Sequence, residues 1–108
     1  MEHKRRMLVR ESPSVCYRIM TTTEKLDRAV GIVCAKFPHA RFLRLSEVSI
    51  RDGHTVGSHP TVCIEIVCRK NMRKDVLLVV SSLAALYGAD HIGYIEYPVT
   101  LNIVDFPS

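Results

Sequence analysis

The densest grouping of side chains able to do chemistry is Asp52-Gly53-His54-Thr55-Val56-Gly57-Ser58-His59, one carboxylate and two imidazoles in a short run. That set could ligate a metal, or it could supply a histidine base oriented by a carboxylate. Histidines one helical turn apart would share a face, as paired ligands require. Here Gly53, Gly57 and Pro60 call for a longer or irregular turn region, and that geometric support fails. Exposed loops accept histidine and aspartate without a function, so Asp52, His54 and His59 stand as weak metal or catalytic candidates.

The four cysteines, Cys16, Cys34, Cys63 and Cys68, sit inside apolar periodic segments and form no Cys-x-x-Cys. They read as small hydrophobes in a reducing, cytoplasmic setting, without structural disulfides. Cys63 and Cys68 are five positions apart on a strand, which sends them to opposite faces. Cys63 would be reactive only if a neighbouring cation lowered its pKa. Phosphate-loop, dinucleotide, nucleophile-elbow and zincin patterns are all missing. No cofactor is expected, and the missing signatures count against an enzyme.

Charge is the other chemical resource. The chain of 108 residues carries 15 Lys+Arg and 11 Asp+Glu, a net +4. Residues 1–74 hold every basic side chain and sum to +8, whereas residues 75–108 hold only acids and sum to −4. Arg41, Arg44, Arg69, Lys70, Arg73 and Lys74 form a candidate basic region for a phosphate backbone or an acidic protein. Base stacking lacks rings: an open sheet face would show Arg18, Cys63, Glu65 and Val67 on its central strands.

These residues must be positioned by a small fold. At 12.2 kDa and 47% apolar, the chain fits one globular domain. Its longest apolar run, Val76 to Val80, is far short of the roughly 20 residues that span a bilayer, and no secretory signal is visible. Residues 1–13 read as a flexible basic arm and residues 14–108 as a single domain.

Ser14 to Met20 predicts a strand with Val15, Tyr17 and Ile19 on one face. Thr21-x-x-Glu24 predicts a capping box opening a helix that ends before Pro38. Phe42 to Arg51 predicts a strand with a bulge near Glu47, and Asp52-Gly53 a hairpin turn. Thr61 to Arg69 predicts a strand facing inward through Val62, Ile64, Ile66 and Cys68. A second helix runs from near Asn71 to Gly88, and its wide apolar surface suggests deep burial or a second subunit. Ile95, Tyr97, Val99, Leu101 and Ile103 alternate along a last strand, which at Pro98 is either an edge or broken in two.

The order β-α-β-β-α-β predicts an α+β, ferredoxin-like sandwich: a four-stranded antiparallel sheet with both helices on one face. The favoured function is a non-enzymatic module that binds a protein or nucleic acid through its basic region or open sheet face. The alternative is a homo-oligomeric small-molecule-sensing regulatory domain, paired through the second helix or last strand. A small enzyme using the histidine loop is a third reading. No membrane partner is expected.

Overall fold

The computed structural model describes residues 7–88 and 92–105, with backbone alone for 47–51 and 55–60. The elements are β1 (Leu8–Thr22), α1 (Leu26–Cys34), β2 (Arg41–Arg51) and β3 (His54–Cys68). A single 3-10 turn (Lys70–Met72), α2 (Arg73–Tyr87) and β4 (Gly93–Asp105) complete the fold. The strands form one antiparallel sheet in the order β2-β3-β1-β4, so the first and third strands are central and β4 is an edge. This is the ferredoxin-like α+β arrangement. Among the described residues no helix is long and apolar enough to cross a membrane.

The strand alternation read from sequence holds in the central pair. Tyr17 and Ile19 of β1 and Val62, Ile64 and Ile66 of β3 are buried beneath Ala29 and Val33 of α1 and Val76, Val79 and Leu83 of α2. Phe37 closes the core just after α1, where its amide donates to the Val33 carbonyl at 2.8 Å. α2 ends as expected at Gly88, whose φ of 92° few other residues would tolerate and whose amide donates to the Ala84 carbonyl at 2.7 Å.

Other local expectations change. Thr21 does not cap α1: it lies in β1 opposite Val62, and its hydroxyl is buried without a partner. The sheet ladder satisfies the backbone there, so the chain stays extended through Thr22 and turns later. α1 starts instead after Lys25, which adopts φ 55° and no side-chain cap. The Lys25 ammonium donates to the Leu86 carbonyl at 3.1 Å, tying the start of α1 to the last turn of α2.

Asp52 and Gly53, at φ 52° and 75°, make a two-residue turn that pairs Arg51 directly with His54. The region after it is therefore no long loop, because β3 begins at His54. The register slip falls between Ser49 and Ile50, two residues past the expected bulge near Glu47, and leaves Val56 of β3 unpaired.

β1 begins at Leu8, not Ser14, so residues 8–13 of the segment read as an arm are strand, paired with β4 from Leu8↔Asp105 to Pro13↔Thr100. β3 accompanies β1 only between Val15↔Cys68 and Thr22↔Thr61. The β1–β4 ribbon thus projects past one end of the central sheet and the β2–β3 hairpin past the other. The molecule measures 65 × 35 × 24 Å with a radius of gyration of 18.2 Å. A compact domain of this length would have about 13 Å.

Candidate functional site

Pairing across β1 and β4 decides which side chains share a face, because residues directly opposite point the same way. Tyr17 of the core lies opposite Glu96, so Glu96, Pro98 and Thr100 are on the helix side of β4. Cys16 lies opposite Tyr97 and Arg18 opposite Ile95, so the apolar set of β4 is on the open side, away from the helices. Sequence alternation grouped these residues correctly. It could not say which group faced the helices.

The open face therefore carries more than Arg18, Cys63, Glu65 and Val67. Glu65 is held between two arginines: Arg18 Nε donates to it at 3.2 Å and Arg41 Nη1 at 3.4 Å. The Arg18 guanidinium also stands 5.9 Å from the centre of the Tyr97 ring. This ring, on the edge strand, is one that the central strands alone did not reveal. The same face carries Leu45, Val67, Ile95 and Leu101, between 43% and 57% exposed. Cys63 is buried among them, and burial pushes its thiol pKa up against the opposing pull of Arg18. The nearby cation does not activate this thiol.

The six basic candidates do not share one surface. Arg41 is on the open face with Glu65, whereas Arg44 pairs with Val62 and so points to the helix side, beside Lys25 and Asp27. Arg69, Lys70, Arg73 and Lys74 stay together at the corner between β3 and α2, all exposed. The two charge halves of the chain also meet in space. Arg10 pairs with Asp105 at 2.9 Å, and Arg73 grips both oxygens of Glu96 at 3.1 and 3.3 Å.

Asp52 and His54 are exposed at the hairpin tip. The side chain of His59 lies outside the described residues, and its backbone pairs with Glu47. Among the described residues no group of three or more His, Cys, Asp and Glu side chains is placed to hold a metal.

The β3–α2 corner borders a groove on the helix side of β1 and β4. Two adjoining hollows of about 320 and 360 Å³ share Val15, Lys70 and Pro98 as walls. Tyr17, Arg73 and Glu96 line one, and Ser14 and Thr100 line the other. The Tyr17 hydroxyl is buried and makes no hydrogen bond of acceptable geometry, although it is close enough to Glu96 to feel its charge. Burial, then that charge, raises the Tyr17 pKa, so the hydroxyl keeps its proton. Glu96 is held below the usual carboxylate range, chiefly by the hydrogen bonds from Arg73. Lys70 makes no ion pair among the described residues. Sequence reasoning named Lys70 and Arg73 but could not join them to Tyr17, Glu96 and Pro98, which are distant along the chain.

No protein-family model and no curated protein sequence matches the chain. Solved structures do. The apo form of CPII from Thiomonas intermedia K12, described as a nitrogen regulatory PII-like protein, superposes with a TM-score of 0.64 at 8% identity, over 89% of this chain and 99% of that one. The same protein bound to ADP, AMP and bicarbonate gives a TM-score of 0.56 at 9% identity, over 87% and 96% of the two chains. CutA1 from Oryza sativa gives 0.57 at 15% identity, over 81% of this chain and 80% of that chain. At such identities the likeness is one of fold: this chain has the ferredoxin-like architecture on which those proteins are built.

Proposed function

We propose that this chain is a homo-oligomeric, small-molecule-sensing regulatory domain. The observation that carries the reading is the open sheet face, where the apolar residues of β4 join Leu45 and Val67 on the side that no helix covers. Exposed apolar area of this kind marks an interaction surface. A second copy suits it, because a self-complementary sheet face offers each protomer the same apolar residues. The fold likeness supports the sensing half: one neighbour is described as a nitrogen regulatory PII-like protein bound to ADP, AMP and bicarbonate, and another, CutA1 from Ehrlichia chaffeensis (TM-score 0.54, 14% identity, 82% of each chain), as a divalent ion tolerance protein. The separation of the basic residues across both faces weakens the competing picture of a single electrostatic docking surface.

Sedimentation velocity tests the assembly. The chain is expected to run as one oligomer across a wide concentration range, and Ile95→Asp is expected to release folded monomers. A monomer at every concentration would overturn the reading. Thermal unfolding with nucleotides, bicarbonate and divalent cations tests the sensing half. A ligand at about 100 times its Kd adds about 2.7 kcal/mol of stability and raises the Tm measurably.

A further inference from the structure

We infer that the groove between the β1–β4 pair and the β3–α2 corner binds a small organic anion, its acidic group against Lys70 and Arg73 and its apolar body against Val15 and Pro98. The inference rests on the small-molecule reading above and assigns that ligand a chemical class and a place.

Three observations converge on this groove. First, it has room: its two hollows of about 320 and 360 Å³ fall in the range of small-ligand sites. Second, its charge is unbalanced in favour of an anion. Arg73 is committed to Glu96 through two hydrogen bonds, which hold its guanidinium at the groove wall, while Lys70 has no ion-pair partner among the described residues. Third, the lining contains Tyr17, which is fully buried and whose hydroxyl has the Glu96 carboxylate beside it but makes no hydrogen bond of acceptable geometry. A buried donor so poorly paired costs free energy, which a better-placed acceptor supplied by a ligand would recover.

The carboxylate of Glu96 disfavours a highly charged ligand, since it would repel each added negative charge. A singly charged carboxylate fits better than a bare phosphate. Val15 and Pro98 then provide an apolar wall, and the missing amide of Pro98 leaves no backbone donor there to be desolvated.

The test is a nuclear magnetic resonance titration of the isotope-labelled full chain with three probes. These are 4-phenylbutyrate, its neutral amide 4-phenylbutanamide, and inorganic phosphate. The carboxylate is expected to shift the amides of Val15, Lys70 and Tyr97 saturably, with the amide and phosphate each at least about tenfold weaker. Lys70→Gln, an exposed substitution, is expected to weaken the carboxylate about tenfold. Tyr17→Phe is expected to weaken it several-fold.

The inference is overturned if millimolar carboxylate produces no saturable shift in the groove. It is also overturned if Lys70→Gln leaves the affinity unchanged, or if the neutral amide binds equally well. Phosphate binding as tightly as phenylbutyrate would remove the apolar half of the claim. An unchanged affinity in Tyr17→Phe would remove the hydroxyl's part. Sedimentation of the same samples separates the two readings: a monomer that binds the carboxylate supports this inference and overturns the oligomer, and an oligomer that does not bind it overturns this inference alone.

Discussion

Glu96 stands 23 positions from Arg73 and meets it through two hydrogen bonds across the helix side of the sheet. The pair is exposed, so its contribution is modest and screened by salt. Its pH dependence is still directional. Because Arg73 lowers the pKa of Glu96 in the folded state, the stabilisation is present above the unfolded carboxylate value, about 4.3, and fades as pH falls through the folded value. Glu96→Gln is therefore expected to lower the urea midpoint near neutrality, with the gap to the parent chain closing in acid. A gap that stays constant with pH would show that the ion pair is not its cause. Gly53 is a different case: a Cβ would meet nothing within 4 Å, yet its φ of 75° is costly for other residues. Gly53→Ala is expected to cost about 1 kcal/mol in equilibrium unfolding through the backbone alone.

At the scale of elements, much was legible because burial imposes a period. Tyr17 and Ile19, Val62, Ile64 and Ile66, and the inner positions of both helices are where alternation and helical spacing place them. Leu83 of α2 is fully buried in this core, and Leu83→Ala is expected to cost 2–5 kcal/mol, read from the shift in unfolding midpoint at constant m-value. Element boundaries were less legible, since they are set by partners. Thr21 and Glu24 have the types of a capping box, but β3 claims Thr21 for the ladder. Leu8 to Pro13 has mixed, polar composition and became strand because β4 is long enough to pair with it. His54 to Pro60 has the glycine and proline of a loop, yet a two-residue turn folds it back onto β2.

For the whole molecule, part of the positive charge before residue 75 is matched by the acidic last strand. β4 returns Glu96 and Asp105 to Arg73 and Arg10. The unequal overlap of the strands makes the molecule long, with a ribbon at each end of the sheet. Small-angle scattering of the Ile95→Asp monomer is expected to give a radius of gyration near 18.2 Å; a compact value of about 13 Å would mean that the ribbons fold back. Ribbon strands also carry free edges: from Leu8 to Ser14, β1 has β4 on one side and, among the described residues, no strand on the other. Such edges and the open face are surfaces that assembly would cover.

The order of elements, the central pair of strands and the inward residues of the core follow from the sequence alone, because periodic burial and turn chemistry are local properties. The side of the sheet taken by the apolar residues of β4 was decided only by tertiary structure. Alternation distinguishes two faces without naming them, and the pairing of Tyr17 with Glu96 supplies the name. The groove is likewise tertiary: Lys70 and Arg73 follow β3, Tyr17 belongs to β1, and Glu96 and Pro98 belong to β4. Only antiparallel pairing across the sheet brings them to one place.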